Sequence, residues 1–345
     1  MENTKEMRII GKSTEQRKEV MGQLMELALQ DPYELFSPKK REKIKRMEYP
    51  KSEEETEVLL FVDDKMKKLS SECGAEPYDI PVANTHIVPD ELFYEINGSG
   101  NKLADAGGII GNQSIFMKAS AARKSTFVLG TLSAHEGFHL RGHLTRELNE
   151  TESEDDFELT NFREGISVNS TQKKNKNGEV HRHFEGAHEA LASLMEKNMV
   201  PVLMEHPLFA EYKKWRESEE GKKTWSELAK KLKVSEEEIT WVNPEKTDEY
   251  EKLASLKQRK TLEYVFEEIQ KQFPEQYETA EDVYKEFLKT QFTGRLLPVA
   301  RLVEKTFGEG SFRMLGSMDT DKNSAIVTLE ALKKARMRTL RDAGK

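Results

Sequence analysis

The stretch SAHEGFHLRGH, residues 133–143, is the most informative part of this sequence for fold and function. His135, Glu136 and His139 spell the pattern H-E-x-x-H inside a stretch with helical periodicity. Side chains four residues apart project from one helical face, so the two imidazoles can converge on one ion at Zn–N distances of about 2.1 Å. Glu136 faces the adjacent quadrant, where a carboxylate can act as a general base toward a water on that ion. The pattern therefore predicts a helix that carries a site for one Zn²⁺ ion.

A zinc site with two histidines needs a third protein ligand. His143 is not suited to this role, because it lies about 12 Å from His135 along the axis of a continuing helix. A second helical stretch, HFEGAHEALASLMEK at 183–197, places Glu185 and Glu189 four residues apart on the side opposite its apolar stripe. Either glutamate is a candidate for the third ligand.

The segment GAHEALASLM, residues 186–195, resembles the glutamate-supplying helix of the gluzincins, the thermolysin-like branch of zinc peptidases. In the alignment that best matches the family's helix, Glu189 is the zinc ligand. In an alternative alignment, Glu185 is the zinc ligand and Glu189 is a supporting acid. His188 replaces the usual Asn, and Ser193 stands where a supporting acid is expected.

This resemblance covers about residues 82–200 and implies a zinc-dependent metallopeptidase with a peptide or protein substrate. It implies that a zinc-activated water attacks the peptide bond and that Glu136 takes and returns the proton. The strand candidate QSIFMK, residues 113–118, would offer its edge to the substrate. A gluzincin also has a Tyr or His that stabilises the oxyanion, and His183 or His181 would supply it.

The pattern along the chain predicts an α+β fold. We expect a small, mostly antiparallel, zincin-like sheet packed on the active-site helix, with the glutamate helix beneath it and helical regions before and after. The expected division is a helical lead-in at 1–80, a catalytic domain at 81–205 and a helical region at 206–345. Helices are expected at about 14–30, 53–71, 126–149, 184–198, 248–273 and 280–307.

The composition of the chain excludes some kinds of site and makes some kinds of partner unexpected. The chain has 345 residues, and 54 Lys+Arg against 62 Asp+Glu give a net charge of −8. An acidic chain is not drawn to nucleic acid or anionic lipid, so neither partner is expected. The single cysteine, Cys73, excludes an internal disulfide and a thiolate zinc cluster. No signal peptide or apolar membrane span is apparent, which predicts a cytoplasmic protein. The oligomeric state is left open.

Two weaker patterns lie in the last third. Asp319–Glu330 matches a calcium-binding EF-hand loop at positions 1, 3, 5 and 12, but Ser324 replaces the required Gly, so a polar turn between helices is the alternative. The segment TWSELAKKLKVSEEEITWVNP, residues 224–244, resembles a helix-turn-helix. Its second half would face phosphates with three consecutive glutamates, which favours an ordinary helical hairpin.

The sequence thus predicts a cytoplasmic zinc metallopeptidase of gluzincin type. The alternative is a zincin-fold regulatory protein that binds a cytoplasmic partner and cleaves little or nothing.

Overall fold

A computed structural model describes residues 7–10, 14–29, 37–97, 104–109, 113–150, 157–174 and 180–343. The helices are α1 Thr14–Leu29, α2 Pro38–Met47, α3 Glu53–Glu72, α4 Asp90–Asn97, α5 Ala119–Ala122, α6 Thr126–Arg141, α7 Glu185–Met204, α8 Ala210–Glu217, α9 Glu219–Leu232, α10 Leu256–Gln272, α11 Ala280–Thr293, α12 Leu296–Phe307, α13 Ser311–Gly316 and α14 Lys322–Ala343. The strands are β1 Met7–Ile10, β2 Thr85–Val88, β3 Ala106–Ile109, β4 Ser114–Lys118, β5 Leu144–Glu150, β6 Phe157–Glu164, β7 Ser167–Lys174, β8 Val180–His183, β9 Ile239–Val242 and β10 Tyr250–Lys252. The fold is α+β, as predicted. In the described part of the chain, no helix has both the length and the apolar character needed to cross a bilayer.

A three-stranded sheet with the order β2-β4-β3 lies against α6. On one face, Ile87, Ile115 and Met117 pack with Leu129 and Leu140 of α6. The opposite face is covered by α2 and α4, whose apolar side chains pack on Val88 and Phe116. Because both faces are covered, every residue of β4 is buried.

The position of β4 corrects one expectation. Residues 113–118 were expected to form the edge strand, but β4 is central, with β2 parallel on one side and β3 antiparallel on the other. The edge beside α6 belongs to β3. The five-stranded sheet, in the order β1-β5-β6-β7-β8, is also mixed because β1 pairs parallel to β5. These two sheets are therefore mixed, and the description "mostly antiparallel" fits β5 to β8 and the separate antiparallel pair of β9 and β10.

Helix α6 lies at the centre of the molecule. Ser125 caps its first turn by accepting a hydrogen bond from the backbone N–H of Phe127. The helix is buried around most of its circumference, as expected of a helix packed on several sides. Helix α3, which begins with a capping box between Ser52 and Glu55, packs on one side of it, and α7 packs on another. This packing fixes the side chains on α6 with respect to those on α7.

The largest apolar core joins all three segments of the sequence-based division. It contains Val58 and Met66 from the first segment and Phe138 and Leu191 from the second. The third segment contributes apolar side chains from α10, α11, α12 and α14, including Leu262, Phe287, Val303 and Leu332. The helical C-terminal region thus packs directly behind the helices that carry the predicted site.

Several predicted helix boundaries are wrong. Helix α6 ends at Arg141 instead of about residue 149, because the chain turns at Gly142 and residues 144–150 form β5. The helix expected from 248 begins at Leu256. The helix expected at 280–307 is two helices, separated at Gly294, which has a positive φ. The expected helical hairpin at 224–244 is α9 followed by a short 3-10 turn and strand β9.

Candidate metal centre

Helices α6 and α7 bring three side chains of the predicted site together. One ligand atom from each of His135, His139 and Glu189 lies within 4.8 Å of the other two. The Nε2 atoms of the two histidines are 3.2 Å apart. A Glu189 oxygen lies 3.6 Å from Nε2 of His135, and the other oxygen lies 3.6 Å from Nε2 of His139.

These spacings suit a zinc ion. Ligand atoms about 2.1 Å from a tetrahedral ion lie about 3.4 Å from each other. The distance of 3.2 Å between the two Nε2 atoms, and the distances of 3.6 Å from each Nε2 atom to one of the two Glu189 oxygens, bracket that value. Two imidazoles and one carboxylate also match the donor set of catalytic zinc sites, which leave a fourth position for water or substrate. The residues present therefore fit the ion that the sequence predicts.

Glu136 lies beside this group in a buried position. Only 8% of its surface is exposed, and the backbone N–H of Gly108 on β3 donates to its carboxylate. Burial raises the pKa of Glu136 to about 7, since the raising effect of nearby Glu189 adds to that of burial while His135 opposes it. A carboxylate with a pKa near neutrality is suited to take a proton and return it.

Each histidine of the group has a partner on its other ring nitrogen. Nδ1 of His135 lies 3.3 Å from Glu196 Oε2, so that the Nδ1–H can donate and Nε2 faces the group. Burial opposes charge on this ring, but hydrogen bonds to Glu189 and Glu196 raise the pKa of His135 well above 6.5. Glu196 was not among the predicted site residues, because the resemblance placed a supporting acid at position 193, where the Ser193 hydroxyl instead donates to the Ala254 carbonyl. Glu196 lies seven residues after Glu189, two turns along the same helix, and this spacing is the sequence signal that could have identified it.

Nδ1 of His139 lies 3.2 Å from Nε2 of His188, the residue that replaces the usual Asn. Burial lowers the pKa of His139 to about 4 and that of His188 to about 3, so both rings are neutral at pH 7. Burial also opposes charge on Glu189, yet the adjacent histidines outweigh it and lower the pKa of this carboxyl. Without an ion, the group therefore combines an ionised Glu189 with a neutral His139.

Glu185 does not join the group. It is half-buried in the first turn of α7, and burial raises its pKa. The next residue, Gly186, donates its backbone N–H to the Met318 carbonyl, and a side chain there would collide with the backbone of Asp319. This close approach explains why residue 186 is a glycine. A zinc-binding E-G motif is therefore not needed to explain it. The geometry thus selects Glu189 and not Glu185 as the third donor.

The other histidines lie elsewhere. His183 is half-buried at the end of β8, opposite Val168, and is not part of the converging group. The side chain of His181 lies outside the described part of the chain. His143 follows α6 and does not continue it, and its Nε2 lies 2.9 Å from the Thr145 hydroxyl. The prediction of an oxyanion role for His183 or His181 stays untested.

The EF-hand interpretation of Asp319–Glu330 does not fit the structure. Helix α14 begins at Lys322 and runs through Glu330, so positions 4 to 12 of the expected loop are helical and cannot wrap around an ion. Asp321 instead accepts hydrogen bonds from the backbone N–H groups of Asn323 and Ser324 and caps α14. The alternative of a polar turn between helices is the correct description.

Comparison of the chain with protein-family profiles, with curated proteins and with solved structures finds no match.

Proposed function

We propose that this protein is a zinc-dependent metallopeptidase of gluzincin type that hydrolyses peptide bonds with Glu136 as general base. The observation that carries the proposal is the convergence of His135, His139 and Glu189 next to the buried Glu136 carboxylate. A metal site without catalysis needs no buried carboxylate with a pKa of about 7 beside it. The zincin-like description of the fold belongs to this proposal.

The residues of the chain would divide the work as follows. A bound zinc ion supplies Lewis acidity and lowers the pKa of water toward about 7. Glu136 accepts the proton of the attacking water as the new O–C bond forms at the peptide carbonyl. It then delivers that proton to the amine nitrogen as the C–N bond breaks. Glu196 holds the His135 ring in the orientation in which Nε2 faces the site.

Strand β3 is the place for the substrate. It is an edge of its sheet among the described strands, and Gly108 lies directly against Glu136. An extended peptide added to this edge would place its backbone beside the general base. The resemblance to gluzincins implied such an edge at residues 113–118. We propose residues 106–109 instead, because β4 is paired on both sides and β3 is paired only with β4 among the described strands.

Metal content measured by mass spectrometry tests the zinc site. We expect about one zinc per chain for the purified protein, and none for His139→Ala or Glu189→Gln. Glu185→Gln is the matched control, since it changes the same residue type one turn earlier on α7, and it should retain zinc. Zinc loss with Glu185→Gln and retention with Glu189→Gln would contradict the assignment of the third ligand.

Cleavage of an unstructured protein such as casein, with peptide libraries as a second substrate, tests the reaction. Glu136→Gln should retain zinc and lose cleavage, because only the proton transfer is removed. Equal cleavage rates for wild type and Glu136→Gln would refute the mechanism. Absence of zinc from the wild type, even after reconstitution, would refute the proposed function as a whole.

A further inference from the structure

Gln291, in the last turn of α11, connects the C-terminal helices to the metal centre. Its side chain is fully buried, and its amide lies between two segments of the catalytic region. The Oε1 atom accepts a hydrogen bond of 3.1 Å from the backbone N–H of Ile166. The Nε2 atom lies 2.9 Å from Nε2 of His188, a residue 103 positions away along the chain.

The backbone N–H of Ile166 fixes the orientation of the Gln291 amide. A backbone N–H can only donate, so the amide atom of Gln291 that faces Ile166 must be the oxygen. The NH₂ group of Gln291 therefore faces His188 and donates to it. As a result, Nε2 of His188 must carry a lone pair and no proton.

The same reasoning extends to His139. Nδ1 of His139 lies 3.2 Å from that Nε2 atom of His188, and the two rings are almost perpendicular, at 85°. Two lone pairs at this distance would repel each other, so the attractive arrangement has a proton on Nδ1 of His139. The one lone pair of His188 Nε2 is then shared between two donors, the Gln291 amide at 2.9 Å and Nδ1–H of His139 at 3.2 Å. A neutral imidazole has only one N–H, and hence Nε2 of His139 presents its lone pair to His135 and Glu189.

The Gln291 side chain has little freedom to turn away from this arrangement. Gly165 has a positive φ of 57°, and a side chain there would collide with the Gln291 amide. A side chain at Gly142 would also contact the amide. In addition, the main-chain carbonyl of Gln291 accepts a hydrogen bond from the backbone N–H of His143, just past the end of α6. The close approach to two glycines and the hydrogen bond from Ile166 thus hold the side-chain amide, while the hydrogen bond from His143 holds the backbone of residue 291.

We propose that Gln291 is a positioning residue, which acts through His188 to hold His139 in the tautomer whose Nε2 can bind a metal ion. The tautomer itself follows from hydrogen bonds within the chain. Its consequence for zinc affinity rests on the proposed function. Residues that orient metal-binding histidines typically change metal affinity or activity by about 10- to 100-fold when mutated.

The experiment compares Gln291→Glu and Gln291→Met with Thr290→Val in the full-length protein. Thr290→Val is the matched control, because it removes one buried side-chain hydrogen bond, to the Arg295 carbonyl, from the neighbouring residue of the same helix. Long-range ¹H–¹⁵N spectra of histidine-labelled, metal-free protein report the tautomer of each ring. Competition with a zinc indicator gives the zinc affinity, and circular dichroism confirms that each variant is folded.

In the wild type and in Thr290→Val, His139 and His188 should both carry their proton on Nδ1. Gln291→Glu places an oxygen against Nε2 of His188, so that this nitrogen becomes a donor and His139 shifts its proton to Nε2. Zinc affinity should then fall about 10- to 100-fold. Gln291→Met removes the donor without reversing the chain of hydrogen bonds, and it should lower the affinity less than Gln291→Glu.

A residue that only fills space would give the reverse order, since Glu keeps the shape of Gln better than Met does. An unchanged His139 tautomer in Gln291→Glu would overturn the inference, and the proposed function would remain if the wild type binds zinc and cleaves peptides. If the wild type binds no zinc, the proposed function fails, while the tautomers of the metal-free protein still decide the role of Gln291.

Discussion

Within the candidate metal centre, neighbouring ionisable side chains have opposite charge preferences. Glu136 is held toward its neutral form by burial, while Glu189, on the facing helix, is held ionised by two histidines. The two carboxylates differ because Glu189 lies between imidazoles, whereas Glu136 accepts a backbone N–H and lies against β3. Under the proposed function, this difference suits Glu189 to metal binding and Glu136 to proton transfer.

The buried charge of Glu136 should reduce the stability of the metal-free protein above neutral pH. A carboxyl whose pKa is raised on folding favours the folded state below its unfolded pKa, and this stabilisation is lost as the pH rises to the folded pKa. The rise from 4.5 to about 7 corresponds to roughly 3 kcal/mol. Glu136→Gln should therefore be about 3 kcal/mol more stable than wild type at pH 8 and nearly equal to it at pH 4.5.

Urea unfolding with a chelator present, at the two pH values, measures this difference. Glu227→Gln is the control, because Glu227 lies exposed on α9 and its replacement should change stability by a similar small amount at both pH values. A stability difference between Glu136→Gln and wild type that does not depend on pH would contradict a raised pKa for Glu136.

At the scale of single residues, the sequence predicts those residues of the candidate site that belong to one short motif or to one recognisable helix. His135, Glu136 and His139 form one contiguous motif, and Glu189 lies on a helix with its own recognisable pattern. Gln291 and Ile166 carry no such signal, because a buried amide and a backbone N–H look like any others until the fold brings them to His188. Supporting residues that come from distant elements are for this reason invisible in a single sequence.

At the scale of elements, the start of α7 depends on one close backbone contact. A side chain at Gly186 would collide with the backbone of Asp319 in the turn before α14. Gly186→Ala should therefore push the first turn of α7 outward and destabilise the protein by about 1–3 kcal/mol. Because Glu189 lies one turn further on, its carboxylate should move away from the histidines and zinc affinity should fall.

Chemical unfolding and zinc titration of Gly186→Ala check both parts of this prediction. The neighbouring variant Glu185→Ala removes a half-buried carboxyl that is not one of the three converging residues, so it should retain zinc affinity. Wild-type stability and affinity in Gly186→Ala would show that the backbone contact with Asp319 is not tight.

Helix starts are predicted better than helix ends in this chain. The capped start at Ser52 and the start after Ser125 are where their side-chain signals place them. The end of α6 was predicted too late, because residues 144–150 are compatible with a helix in isolation and become a strand only by pairing with β1 and β6. The same holds for residues 250–252, which form a strand by pairing with β9. Tertiary pairing overrides local propensity in both cases.

For the whole molecule, the continuous apolar core predicts one cooperative unit. Side chains from α3, α6, α7, α10, α11, α12 and α14 share it, so none of these helices can lose its packing alone. The helical circular dichroism signal reports the unfolding of helices throughout the chain. The three tryptophans, by contrast, all lie at 215–241 in the C-terminal region. The two signals should follow the same unfolding curve in urea.

A fragment of residues 81–205 provides the complementary measurement. It retains the predicted ligands but lacks α3 and the C-terminal helices, so it should not fold cooperatively or bind zinc with wild-type affinity. Two separate transitions in the full chain, together with a folded fragment, would show that the division at 80 and 205 marks independent domains.

If a peptide pairs with β3 as proposed, the four described residues of this strand can contact only a short length of it. The described strand has four residues, and at about 3.4 Å per residue it can pair with about 14 Å of extended chain. Side chains of a paired peptide alternate between the two faces, so about two of them would point toward the protein. Recognition through this edge would therefore depend on the backbone and on very few side-chain positions. The amino-acid preferences of the protein, tested on peptide libraries, should accordingly be broad beyond those positions.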